Sequence, residues 1–155
     1  MANTIDIKVQ GLKELQDALR EFEPKFQKNV LRGAVRAGSV VVADEAIATV
    51  PVLAEKDARL NRKWPAIPGV LRRSIRVMST RVKTSQGLVQ GGVKAGVSRK
   101  DLLAFYAGFV ERGTKRGEGR TKAYHFMENA LKTQAANAIE AFRAYAASRI
   151  EDALK

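Results

Sequence analysis

Two prolines frame the longest helical pattern in the chain, and that pattern limits the fold more than any other feature. Pro24 suits the first turn of a helix, where its missing N–H would have no partner in any case. Pro51 cannot continue a helix, and it biases the residue before it towards extended backbone. Between them Phe26, Val30, Ala34, Ala37 and Val41 fall on one face, with Leu31, Val35 and Val42 widening it, and the pattern runs to about Thr49. A second long stripe starts near Tyr124 and takes in Met127, Leu131, Ala135, Ala138, Phe142, Tyr145 and Ile150. Its alanine richness permits close approach between helices. Gly33 and Gly38 sit inside the first helix, where each costs about 1 kcal/mol relative to alanine. Close passage of another backbone would explain them, and so would tolerance by a long, well-packed helix; the first is the expectation.

The remaining segments predict smaller elements. Ile5, Ile7 and Val9 alternate with polar residues, as a short strand requires; Gly11 ends it, and Leu12, Leu15, Leu19 and Phe22 then recur at helical spacing. Ser74 to Lys83 alternates again, Leu88, Val89, Val93 and Val97 follow, and Ser85-Gln86-Gly87 between them predicts a turn joining two antiparallel strands. Gly91 and Gly92 suggest a bulge or close backbone approach in the second strand. A short helix is expected over roughly 99–111, capped near Ser98 and Asp101, with Gly113 at the position of a left-handed C-terminal cap. Glu111 then lies in the last turn, where the helix dipole disfavours an acid unless an arginine or an exposed backbone N–H compensates. The fold class expected is α+β: a single domain over 1–155, with a small antiparallel sheet packed against two long helices, plus short helices.

Two stretches lack periodicity. Residues 51–68 hold three of the four prolines and the only tryptophan, and read as a flexible arm. Trp64 would serve there either as an interface anchor or as a lid on the domain's own core. Residues 113–122 form a glycine-rich basic loop.

Charge is confined to the middle of the chain. Residues 1–50 carry seven basic and seven acidic side chains, and residues 124–155 carry four of each. The seventeen Lys and Arg and five Asp and Glu of residues 51–123 therefore account for the whole net charge of +12. Such a directed field implies an acidic partner, a nucleic acid or a wet lumen, against the plainer reading of a solvated surface. Arg72, Arg73, Arg76, Arg81, Lys83, Lys94, Arg99, Lys100, Lys115, Arg116, Arg120 and Lys122 could neutralise phosphates without reading bases. No recognised DNA-binding motif accompanies them, and aromatics do not interleave as stacking platforms would.

Catalytic chemistry finds little support. The chain has no cysteine, which removes disulfides and thiolate metal sites, and His125 is its one histidine. Gly91 and Gly96 match the first two glycines of a phosphate loop, but Val97 stands where the lysine must be. The acids of the middle segment (Glu55, Asp57, Asp101, Glu111, Glu118) are few, and nothing selects a pair for acid–base or metal work. No apolar run approaches the roughly 20 residues of a membrane span. A soluble intracellular product without enzyme activity, metal or cofactor is the expectation.

Several motifs, in order, carry a resemblance. They are Ile5-Asp6-Ile7-Lys8-Val9-Gln10-Gly11-Leu12-Lys13-Glu14-Leu15, then Gly69-Val70-Leu71-Arg72-Arg73-Ser74-Ile75, then Tyr106-Ala107-Gly108-Phe109-Val110-Glu111-Arg112-Gly113-Thr114, and finally Phe126-Met127-Glu128-Asn129-Ala130-Leu131. Together they resemble the tail-component family of tailed bacteriophages, the head–tail joining or tail-completion group of long-tailed phages and prophages. The family's prolines before the last helix are missing here, where Lys122-Ala123-Tyr124-His125-Phe126 stands, and region 52–64 is longer than expected. The resemblance implies a structural neck protein made in the host cytoplasm and built into the virion. It implies a ring of copies, six or a multiple of six, between a connector or head-completion protein and a tail terminator or tail-tube protein. Transient contact with genome DNA, but not with a membrane, would follow.

No catalytic residue carries over. Leu71, Ser74, Ile75, Tyr106, Phe109, Val110, Glu111, Gly113 and Thr114 are then fold and assembly elements, with Tyr106, Phe109 and Val110 packing and Gly113 making a turn. Arg59, Arg62, Lys63 and Trp64 of the arm, and Lys115, Arg116, Arg120 and Lys122 of the loop, are the candidates for facing a neighbour or DNA. The alternative is a stand-alone basic protein that binds nucleic acid without sequence preference.

Overall fold

The computed structural model describes residues 17, 19–20, 22–55, 58, 67–78, 81–83, 88–95, 104–114 and 122–155. Two long helices dominate them: α1 (Pro24–Thr49, 26 residues) and the C-terminal α4 (Phe126–Leu154, 29 residues). Each is about 40 Å long at 1.5 Å per residue. Between them come α2 (Val70–Ser74), β1 (Arg76–Val77), β2 (Arg81–Lys83), β3 (Leu88–Gln90), β4 (Val93–Lys94) and α3 (Ala107–Arg112). This is the α+β arrangement expected, with the strands lying against α1.

The long helices run antiparallel in direct contact. Going up α1, Gly33 meets Tyr145, Gly38 meets the Ala138 backbone and Glu45 accepts a 3.0 Å hydrogen bond from Gln134 Nε2. A Cβ on Gly38 would lie 2.7 Å from the Ala138 carbonyl oxygen, and one on Gly33 would overlap the Tyr145 ring. The backbone approach expected of both glycines is found at Gly38, whereas Gly33 makes room for the Tyr145 side chain.

The buried line on α1 departs from the expected stripe in its second half. It advances in steps of four through Val30, Ala34, Gly38, Val42 and Ala46, so Ala37 and Val41 are only half-buried. A line of that spacing follows the i,i+4 ridge of the helix. The near contact at Gly38 holds α4 over that ridge and moves the seam by one residue. On α4 the buried residues are Phe126, Ala130 and Ala146, next to the expected Leu131 and Tyr145, which are half-buried.

Two apolar clusters fill the seam. At the open end of α1, Leu19, Val30, Ala34 and Ala146 are buried, flanked by Phe26, Phe142 and Tyr145. At the other end Val42, Ala43, Ala46 and Val50 pack with Leu71, Ile75, Ala107, Phe126 and Ala130. An open apolar groove of about 530 Å³ lies between them, walled by Val35 and Val42 of α1, Leu131 and Phe142 of α4, and the Gly91-Gly92 backbone.

The strands form one nested antiparallel pairing with a break. Arg76 pairs with Lys94 and Val77 with Val93; further out, Arg81 pairs with Gln90 and Lys83 with Leu88. The two registers differ by one residue, and the extra residue belongs to the first strand, across from Gly91-Gly92. The pairing is thus interrupted at Gly91-Gly92, where the sequence predicts a bulge or close backbone approach, but the additional position is not on the glycine strand. The Met78 N–H reaches the Gly92 carbonyl at 2.8 Å, and a Cβ at Gly92 would stand in open space.

Two local expectations change. The strand expected from Ser74 starts at Arg76, because Val70–Ser74 makes a five-residue helix whose C-cap is Ile75. Ser74 Oγ donates to the Leu71 carbonyl at 2.7 Å, which satisfies this buried hydroxyl inside the turn. The helix expected over 99–111 begins, among the described residues, only at Ala107, after a tight turn at residues 104–106. Its expected cap at 98–101, the turn at 85–87, the strand at 5–9 and most of the first short helix lie outside the described residues. So does most of the arm at 51–68.

Candidate functional site

The signature segment and the start of the last helix meet at one carboxylate. Helix α4 opens at His125, which has left-handed backbone (φ 50°) and gives no side-chain cap. A helix start leaves its first amide N–H groups without partners. Glu111, at the end of α3, supplies the acceptors from a distance. Its Oε2 accepts the Met127 N–H at 3.0 Å and its Oε1 accepts the Glu128 N–H at 3.1 Å. Charge-assisted bonds of this kind are the stronger class, and a negative charge at a helix start is favoured by the dipole. The acid that the dipole of its own helix disfavours is therefore held by the dipole of the next.

Backbone bonds fix the same junction. The Tyr124 N–H donates to the Val110 carbonyl at 3.0 Å, and the His125 N–H to the Glu111 carbonyl at 3.1 Å. Proline at either position would remove one of these bonds, which gives a physical reason for its absence here. Gly113 ends α3 with φ 73° and ψ 177° and donates to the Phe109 carbonyl at 2.8 Å. The positive φ was expected, but the extended ψ takes it out of the left-handed helical region into one open essentially to glycine alone. Gly113→Ala should cost about 1–3 kcal/mol, read as a lower denaturant midpoint with an unchanged slope.

Titratable groups gather at the same place. The donor atoms of Glu111, His125 and Glu128 lie within 4.8 Å of one another, the spacing of a small metal cluster. Their contacts explain the cluster without a cation. Both Glu111 oxygens face amide hydrogens, Glu128 Oε1 is 2.6 Å from Lys132 Nζ, and Glu128 Oε2 is 3.2 Å from His125 Nδ1. Lys132, and after it His125, holds the half-buried Glu128 carboxyl below its usual range. Tyr106 responds to burial: its hydroxyl is pushed above the ordinary value near 10, against smaller downward effects from the Leu71 backbone and Arg73.

Other signature residues divide between core and surface. Leu71, Ser74 and Ile75 are buried, and Tyr106 and Val110 pack on the cluster beneath them. Thr114 is half-buried. Phe109, expected to pack inside, is 53% exposed, and its neighbour Phe105 is 49% exposed. Ala107 takes the inward position on α3, so Phe109 falls on the outer face of this short helix. Tyr124, at 49% exposure, is a third uncovered aromatic. Of the basic candidates, Lys122 is described and exposed. Arg59, Arg62, Lys63, Trp64, Lys115, Arg116 and Arg120 lie outside the described residues.

A protein-family model described as "Bacteriophage HK97-gp10, putative tail-component" matches residues 13–113. That span runs from the first short helix to the glycine that closes α3. Comparison with curated proteins and with solved structures finds no match.

Proposed function

The chain belongs to the HK97-gp10-like family of bacteriophage tail components, and on that premise we propose that it is a neck protein, a ring of copies joining the DNA-filled head to the tail tube. The family gives a structural, tail-related role in the virion. The ring, its six-fold or multiple-of-six order and its neighbours above and below are our reading. We propose further that it makes and breaks no covalent bond.

One observation carries this reading. The most distinctive motif of the chain, Tyr106 to Thr114, has its polar member committed to structure. Glu111 stabilises a helix start through both oxygens, and no substrate is needed to account for it. The same motif leaves Phe109 exposed, as is Phe105 just before the motif. Exposed aromatics surplus to a chain's own core suit contact with another protein.

Electron microscopy and light scattering of the purified chain test the proposal. Closed rings, alone or on addition of tail tubes, are expected. A chain that stays monomeric under both conditions, together with infectious particles from a phage lacking the gene, would sink it.

A further inference from the structure

Among the described residues an apolar groove and an outward aromatic are used by neither the core nor the Glu111 junction. The groove, of about 530 Å³, runs between α1 and α4 beside Gly91-Gly92. Leu131, Ala135, Ile139 and Phe142 line it as a stripe along α4, at steps of four, four and three, and all four are only half-buried. None of the described residues lining it is ionisable. The hydroxyl of Ser39 in its wall already donates to the Val35 carbonyl at 2.8 Å. A small-molecule site is mostly apolar but keeps a few polar groups that fix the ligand's orientation. No side chain is free for that task here, so the guest that fits is an apolar side chain of a protein.

Phe109 is such a side chain. It stands on the outer face of α3, 53% exposed, and does not line the groove of its own copy. Its mount is rigid. The Phe109 N–H donates to the Tyr106 carbonyl at 2.8 Å, and its own carbonyl accepts the Gly113 N–H at 2.8 Å. Two residues further on, Glu111 fastens α3 to the start of α4. An anchor held in this way loses little freedom on binding. Val52 and Leu53 are also exposed, but they follow Pro51 outside any helix or strand, and Leu154 ends α4.

We infer that the groove of one copy receives Phe109 of a second copy, in a head-to-tail contact. The two surfaces differ, so each copy gives one anchor and takes one. A succession of such contacts closes into a ring when the rotation between copies allows it. A foreign partner would cover the anchor or the groove and leave the other facing water. The inference rests on the neck reading for the ring, and deepens it by naming the surfaces through which copies meet.

The test keeps an aromatic at the anchor. Full chains with the photo-crosslinker p-benzoylphenylalanine at position 109, half of them isotope-labelled, are refolded together and irradiated. Mass spectrometry then identifies the linked peptides, and mixed labels mark links between copies. The same group at position 52 is the control. Light scattering over a concentration series follows the parent, Phe109→Ser and Ala135→Phe, the last of which fills the groove; thermal melts accompany it.

Links between copies from position 109 to peptides covering residues 35–42 or 127–142 are expected, with none from position 52. Phe109→Ser and Ala135→Phe should each weaken self-association by at least about tenfold, the scale of one buried aromatic, without lowering the melting midpoint. Links within one copy only, or none to those peptides, would overturn the contact. So would links to added tail-tube protein in place of the groove, which would give Phe109 to a foreign partner. A lower melting midpoint for Ala135→Phe with association unchanged would assign the groove to a segment of the same chain, and would overturn it too. Groove links in assemblies that never close would sink the neck reading and leave this contact standing. Closed rings without those links would do the reverse.

Discussion

Replacing Glu111 by alanine should lower the thermal midpoint by about 5–10 °C, the largest loss expected from any single polar side chain described here. The change strips both acceptors from the start of α4, leaving the Met127 and Glu128 amides without partners in a half-buried junction. Lost helix caps cost about 0.5–2 kcal/mol, and hydrogen bonds to a charged group contribute about 1.5–3 kcal/mol, so about 2–3 kcal/mol is the expected total. Glu111→Gln keeps one carbonyl acceptor but loses the charge and one bond, and should fall between alanine and the parent. Circular dichroism melts of the three proteins give the order directly. A midpoint for Glu111→Ala equal to that of the parent would show that the junction is held by the Tyr124 and His125 backbone bonds alone.

Gly38→Ala should destabilise the protein by about 2 kcal/mol, the reverse of what this substitution does in most helices. An exposed glycine in a helix gains about 1 kcal/mol on becoming alanine. Here the added methyl would sit 2.7 Å from the Ala138 carbonyl oxygen, and that oxygen belongs to a helix backbone that cannot step aside. The helices must separate, which loosens the alanine contacts on both sides. Gly33→Ala is the informative companion, because the atoms it meets belong to the Tyr145 side chain. Combining it with Tyr145→Leu should recover most of its cost, a coupling that denaturant titration of the double-mutant cycle measures. A stabilising Gly38→Ala would mean that the seam is wider than described.

The parts of this fold legible in the sequence are those with long-range regularity. Pro24, Pro51 and a stripe of more than twenty residues define α1, and the alanine-rich stripe defines α4. Periodicity could not reveal that the seam shifts by one residue at Gly38, because the shift depends on where the partner helix crosses. It was also blind to Val70–Ser74, which is too short to complete a repeat. The Gly91-Gly92 pair announced a break in the ladder, but not which strand carries the extra residue, since glycine permits a distortion across from it as readily as within it.

Glu111 was half legible. An acid at the wrong end of one helix, and a following helix that starts on Tyr124-His125-Phe126 with no capping side chain, are two irregularities that answer each other. Only the structure shows that the sixteen-residue interval between Glu111 and Met127 brings them together. The arm and loop cations could not be judged in this way, since seven of those eight arm and loop positions lie outside the described residues.

The junction at Glu111 has a consequence for how such a protein can diversify. Thr114 and Lys122 flank residues 115–121, and the chain on either side of them is already tied by the 110–124 and 111–125 backbone bonds. With the chain tied there, doubling the span between costs only about 0.6 kcal/mol. Insertions, deletions and wholesale exchange of residues 115–121 should therefore leave the scaffold standing, so that related viruses could re-tailor this segment to new neighbours without touching the helices on either side.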